Sequence, residues 1–300
     1  MNELIHIACC VDDNYSPHCG TMLCSLFNSN KENSFHIHLF SGRLNRENRL
    51  KFEALFSSYH HSYTFYNINE NLFKDVPVKL RHISIAAYYR ILVPGLLEPA
   101  ITKIIYFDSD LIVRSNIRQL WECDLQNNII GAVQEQISKS HYVLLDIDPS
   151  LNYFNSGVML IDLNKWREEA VESRCLDYLS KNKNIIKYWD QDVLNVILKK
   201  KWTDIGNRWN VAHKIYFAPY EYAYLSTEVI HELATNPSIV HFSGASKPWG
   251  IWNRHPFKPE YLYYRSLTPW KKEKRISLRE VIIETYDRLL ERIIVTLKKN

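Results

Sequence analysis

Apolar residues in the first part of the chain fall in short runs separated by stretches of helical spacing. Leu4–Val11 predicts a buried strand, residues 19–30 a helix, Phe35–Phe40 a second strand, Arg46–Tyr59 a second helix and Ser62–Ile68 a third strand. This β-α-β-α-β order is that of a mononucleotide-binding half. In Leu80–Leu97 the residues Ile83, Ala86 or Ala87, Arg90 and Ile91 recur at helical steps, with Pro94 and Gly95 as the stop. The unbroken run Ile104–Phe107 predicts a strand buried on both faces, hence one in the middle of a sheet. Downstream, Leu111–Val113, Ile129–Gln134, Tyr153–Ile161 and Ser238–Phe242 read as strands, with a helical turn from Ile117 to Leu120. Asn164 is placed to cap a helix over Lys165–Leu179, and Tyr188–Asp192 opens the next.

Candidate chemistry gathers where the central run ends, at Asp108 and Asp110. Open α/β sheets bind ligands outside the carboxyl ends of their strands. Residues two apart in an extended chain share a side, so both carboxylates can face one hard cation, and a cation there can hold a diphosphate. The Asp-x-Asp pattern also occurs at Asp146–Asp148, where Pro149 marks a turn, and at Asp190–Asp192, where acidic residues suit a helix start. After the first strand, Asp12, Asn14 and Tyr15 are able to contact and stack on a base, or equally to cap the following helix. Arg90 on an apolar helix is either a surface residue or, the favoured reading, a phosphate or carboxylate ligand. The small residues Asn155–Gly157 before an apolar strand indicate a bulge or close approach of backbone to ligand. His241 is a core histidine unless the loop after it, with Gly244 and Lys247, makes it a ligand. Neither G-x-G-x-x-G nor a Walker loop is present, which argues against dinucleotide and ATP sites.

Composition adds boundaries. In 300 residues, 46% hydrophobic and 13% aromatic content supports a large core, sufficient for one α/β domain with a tail. Six cysteines without a Cys-x-x-Cys pair suit a reduced compartment, and neither a secretory signal nor a membrane span is legible. The net charge of +4 lies wholly in residues 271–300, with nine basic and five acidic residues. Ser277 and Glu280 form a capping box, and Ile282, Tyr286, Leu289, Ile293 and Leu297 make an apolar stripe. The expected division is therefore a body at 1–265 and a basic amphipathic tail at 266–300. That tail, with Tyr261, Tyr263, Tyr264 and Trp270 before it, is expected to meet an anionic membrane surface. The neutral body and the absence of a known binding module argue against nucleic acid.

Taken together and in order, VDDNY, RHIS followed by Arg90, FDSD, YFNSGV, DQD and HFSG-x-x-KPW resemble the family 8 retaining glycosyltransferases, over residues 3–255. The similarity is closest to bacterial lipopolysaccharide and lipo-oligosaccharide galactosyl- and glucosyltransferases. It implies a single nucleotide-diphospho-sugar-binding domain of GT-A type with a mostly parallel mixed sheet, a UDP-hexose donor, and manganese with magnesium as the alternative. Asp108, Asp110 and His241 are the metal ligands so implied, and Asp12, Asn14 and Tyr15 the uridine contacts. Arg90, Asn155, Gly244 and Lys247 are implied at the diphosphate or donor sugar, and Asp190 and Gln191 beside the transferred sugar. Gln134 and Glu135 stand where relatives carry Asp, without an assigned role. The acceptor expected is a saccharide or lipid-linked saccharide, with the enzyme cytoplasmic and peripheral at the inner face of the plasma membrane. A pyrophosphorylase needs a glycine-rich basic loop that VDDNYSPH lacks, and a non-catalytic nucleotide-binding scaffold leaves the metal residues without purpose.

Overall fold

A computed structural model of the chain describes residues 3–73 and 84–271. Its frame is a seven-stranded sheet built from β1 (Ile5–Cys10), β2 (Phe35–Ser41), β3 (Ser62–Asn67), β4 (Lys103–Phe107), β6 (Ile130–Glu135), β7 (Tyr153–Asp162) and β8 (Trp202–Asp204), in the order β3-β2-β1-β4-β7-β6-β8. A smaller sheet joins β5 (Leu111–Val113), β10 (Ile239–His241) and β9 (Val211–Ala212) in that order. The run β3-β2-β1-β4 is parallel, β7 is antiparallel to both neighbours, and β8 is parallel to β6. The large sheet is thus mixed and mostly parallel, with β4 at its centre, where burial of Ile104–Phe107 on both faces demands it.

The first half follows its hydrophobic pattern closely. The Ser16–Ser29 helix begins three residues before the expected 19, because Pro17 occupies its first turn, where a missing N–H costs nothing. Asn45 caps the Arg46–Ser58 helix by accepting from the Asn48 backbone at 2.8 Å.

Three expectations are corrected. The segment carrying Arg90 is a 3-10 helix, Ile85–Ile91, and Pro94 lies in the first turn of a short α-helix, Val93–Leu96, instead of stopping one. The helix expected at Lys165–Leu179 is two: Asp162, not Asn164, caps Leu163–Glu168 through the Lys165 backbone, and Ala170 at φ +49° breaks the chain before Val171–Lys181. Trp270 and Tyr261 are not interfacial. Trp270 is fully buried beneath Gly20 and Phe52 and donates its indole N–H to Asn48 at 2.8 Å, while the Tyr261 hydroxyl is 2.7 Å from His18 Nδ1. The packed body therefore includes Trp270, past residue 265. The capping box and stripe of the tail, and the Arg81–Ile83 part of the RHIS motif, lie outside the described residues. No described helix is long and apolar enough to cross a membrane.

Candidate active site

The chain passes from the large sheet to the small one between β4 and β5, and Asp108–Asp110 is that crossing. The two carboxylates converge because of this step and not because of strand alternation, since neither residue lies in a strand. The step is pinned on both sides: the Asp108 backbone donates to the Gly157 carbonyl at 2.8 Å, and Phe242 donates to the Asp110 carbonyl at 3.0 Å. Pairing of His241 with Leu111 brings the imidazole to the same place. Its Nε2 lies 3.4 Å from an Asp110 oxygen and 3.9 Å from an Asp108 oxygen. One ligand atom from each of the three residues falls within 4.8 Å of the others, the only such triad among the described residues. Two carboxylate oxygens and an imidazole nitrogen fit a divalent cation of intermediate hardness. Gly157 makes the approach feasible. A Cβ there would stand 2.5 Å from His241 Cε1 and 2.9 Å from Asp108 Oδ2.

Lys247 already neutralises part of this acidic cluster, its ammonium 2.5 Å from Asp110 and donating to the Phe242 carbonyl at 2.9 Å. Lys247 and His241 hold the Asp110 carboxyl well below the usual carboxylate range, outweighing the opposing effect of burial. Arg90 is buried and pairs with carboxylates of the protein itself, reaching Asp108 at 2.8 Å and Asp190 at 2.9 Å. It also donates to the Ser156 carbonyl at 2.7 Å and lies over the Tyr106 ring. Burial pushes the Asp190 carboxyl upward, and the guanidinium acts against it.

These residues line a crevice of about 570 Å³ at the carboxyl end of the sheet. Asp12, Tyr15, Arg90, Asp108, Asp110, Asn155, Asp190, Gln191, His241, Gly244 and Lys247 all border it. Asn14 does not; it is exposed on the turn before the helix. Asp12 accepts from the Tyr15 backbone at 2.8 Å within the turn before the helix, whose N-cap position is Tyr15 without a side-chain cap bond. Gly244 has φ +87°, a backbone that glycine adopts without strain. Gln191 is held on both ends of its amide: Oε1 accepts from the Ser156 backbone at 3.1 Å and Nε2 donates to Glu135 at 3.1 Å. Asp192 is fully buried and organises the approach to its helix, accepting from the Lys187 and Tyr188 backbones and from the Tyr153 hydroxyl. That grip encloses Trp189 at φ +49°, an uncommon backbone for a bulky residue. The Asp146–Asp148 pair is turn chemistry, with Asp148 accepting from Ser150 and Asp146 at φ +54°.

Two residues of the site were not assigned from sequence. Glu135 accepts from Asn155 at 2.7 Å as well as from Gln191, and its position at the carboxyl end of an apolar strand, like that of Asp108, was the available signal. Asn210 contacts His241 and Asn155, and nothing local to it points there.

The acidic crevice of this mixed open sheet lies at the carboxyl ends of its strands, where open α/β sheets bind their ligands. The family model for glycosyl transferase family 8 matches residues 6–253. The chain is 31% identical over 274 residues to general stress protein A of Bacillus subtilis, covering 90% of this chain and 96% of that one. It is 27% identical to a lipopolysaccharide 1,2-glucosyltransferase of Escherichia coli, covering 94% and 83%, and 25% identical to the lipopolysaccharide 1,3-galactosyltransferase of Salmonella typhimurium, covering 89% and 80%. Among solved structures, the galactosyltransferase LgtC in complex with donor and acceptor sugar analogs superposes with a TM-score of 0.80 at 22% identity, over 88% of this chain and 96% of that one. The chain belongs to glycosyl transferase family 8, and is a glycosyltransferase.

Proposed function

We propose that the enzyme transfers galactose or glucose from a UDP-hexose, with retention of configuration, to a saccharide of the lipopolysaccharide or lipo-oligosaccharide core, using manganese. The observation that carries this reading is the meeting of Asp108, Asp110 and His241 beside Lys247, in a crevice that Asp12 and Tyr15 border on one side and Asp190 and Gln191 on the other. The lipopolysaccharide hexosyltransferases among its relatives support the donor and acceptor classes. A bound divalent ion supplies stabilisation for the negative charge that develops on the departing diphosphate. Lys247, bound to Asp110, would supply positive charge to the same diphosphate, and the Tyr15 ring, edge-on to Trp249, would offer a face to the base. Arg90 keeps Asp190 in place at the sugar.

A same-face reaction, in which the departing phosphate takes the acceptor proton, needs no protein nucleophile. Arg90 and Ser156 both bind Asp190 through its Oδ2, and both ends of the Gln191 amide, a poor nucleophile, are engaged, so Asp190 Oδ1 is the atom that a reaction by two displacements would require. An imidazole ligand suits manganese better than magnesium.

A donor screen reading UDP release from UDP-glucose, UDP-galactose and UDP-N-acetylhexosamines tests the assignment. Release only from an N-acetylhexosamine donor refutes it, as does a β-linked product by proton NMR of the new anomeric centre. Asp108→Ala and Asp110→Ala should abolish metal-dependent UDP-sugar binding in calorimetry; unchanged binding in both removes the metal assignment.

The tail is proposed to bring the catalytic body to the cytoplasmic face of the membrane, which its concentration of the chain's entire net charge supports. Because Trp270 is part of the core, the informative truncation is 1–271. Full-length protein should pellet with anionic vesicles and less so at high salt; equal behaviour of the truncation discards the anchor.

A further inference from the structure

We infer that Asn210 is a positioning residue that, through Asn155, fixes His241 in the tautomer able to bind a metal; the inference rests on reading His241 as a ligand. Its starting point is a group whose polarity is not open to choice. The Gly157 backbone N–H can only donate, and it meets an Asn155 side-chain atom at 2.8 Å, which is therefore the amide oxygen Oδ1. The nitrogen of Asn155 accordingly faces the Glu135 carboxylate, at 2.7 Å, an acceptor as it must be.

The same Asn155 oxygen receives a second bond, from Asn210 Nδ2 at 2.8 Å. With its nitrogen so identified, Asn210 presents its oxygen to His241 Nδ1, 2.9 Å away. An amide oxygen accepts only, so Nδ1 carries the imidazole proton. In the neutral ring Nε2 then keeps its lone pair, and Nε2 is the atom that faces Asp108 and Asp110. In water a neutral imidazole prefers the opposite arrangement, with the proton on Nε2, which would turn an N–H toward the cation. The relay thus reverses an intrinsic preference before any ion arrives, the part that outer hydrogen-bond partners play at metal-bound histidines.

Three parts of the fold converge to build it. Asn155 comes from the bulged β7, where pairing with β6 jumps from Gly131–Leu160 to Val133–Asn155. Asn210 lies between the 3-10 turn Asn207–Trp209 and β9, and β9 lies beside β10, which carries His241. Asn155, Asn210 and His241 are all buried, so water is not at hand to replace a lost partner. Glu135 ties the far end of the relay to Gln191, linking the sugar side of the crevice to the cation side.

The test begins on metal-free wild-type protein labelled with ¹⁵N-histidine, at about pH 8, where an ordinary imidazole is neutral. Long-range proton–nitrogen correlation distinguishes the tautomers, and the His241 signals are those lost in His241→Gln. The expected pattern is a proton on Nδ1. Asn210→Leu should move His241 toward the Nε2–H pattern and weaken Mn²⁺ binding in calorimetry by about 10–100-fold. Asn210→Asp, which still accepts from Nδ1–H, should keep the wild-type tautomer. An Nε2–H pattern in the wild type overturns the inference, and that measurement requires no variant to fold. Unchanged tautomer and affinity in Asn210→Leu overturns it as well. An Nδ1–H pattern in a protein that binds no Mn²⁺ would instead refute the ligand reading and leave the positioning intact.

Discussion

Gly157→Ala is a one-carbon change aimed between two of the three candidate metal ligands. The new Cβ would stand 2.5 Å from His241 Cε1, 2.9 Å from Asp108 Oδ2 and 3.0 Å from Asn155 Oδ1. Carbon atoms in contact sit about 3.5–4.0 Å apart, so the imidazole must retreat by roughly 1 Å. It has little room, because its ring is buried and its Nδ1 is bound to Asn210. The backbone is equally constrained: Gly157 lies within β7, flanked on both sides by other strands of the sheet. Overpacking of this kind costs about 1–3 kcal/mol, and each kcal/mol lowers the melting temperature of a large domain by roughly 2–4 °C. Coordination tolerates only about 0.2 Å of error in ligand distances, so the displacement should cost more affinity than stability. The expected result is a melting temperature lower by several degrees and Mn²⁺ affinity, read by calorimetry, at least roughly tenfold weaker. Gly95→Ala is the control, since its Cβ meets only the carboxylate end of the half-buried Glu172 side chain, which can swing aside. Wild-type Mn²⁺ affinity in Gly157→Ala would refute the argument that the glycine exists to admit the ligands.

Arg90→Met should lower stability by about 3–5 kcal/mol in denaturant titration, because it leaves the buried Asp190 carboxylate without its cation; a loss below about 1 kcal/mol, the value of a surface pair, would show that the pair is dispensable. Stability should also fall as pH drops from about 6.5 toward 4. Burial lowers the folded-state values of His38 and His255 to about 3, so in that window the unfolded chain binds protons that the folded chain refuses. At pH 5 the loss relative to neutral conditions is about 2 kcal/mol for each histidine. Denaturant midpoints across the range check it, and His38→Asn should reduce the slope; a flat profile above pH 4 would show these rings to be protonated in the folded protein.

The main strands were legible because each is a local statement. An unbroken apolar run such as Ile104–Phe107 can be stabilised only inside a sheet, and the alternation of such runs with helical spacings dictates a parallel first half. The carboxylates of Asp108 and Asp110 were legible for a related reason, since charge directly after a buried strand must emerge at the sheet's carboxyl end. Less visible were breaks made by single residues. Ala170 at φ +49° divides a stretch whose spacing reads as one helix, and alanine carries no mark of that conformation.

By itself the sequence determined which segments are buried, which helices separate them and which polar residue types stand at the strand ends. Only the tertiary structure decided which of those polar residues meet. Asp110 and His241 are far apart in the chain and are joined by a small sheet whose strands are too short to announce themselves. Asn210 has no local signal at all, because an asparagine before a two-residue strand reads as a turn residue, and its role exists only in the bonds to Asn155 and His241. Trp270 likewise belongs by type to an interface and by packing to the core, where Gly20 leaves space for its ring and Asn48 accepts its N–H. Hydrophobic periodicity records how much of a residue is buried. It carries no record of the partner, since a partner is chosen by the path of the chain between sheets and by the requirement that every buried donor find an acceptor.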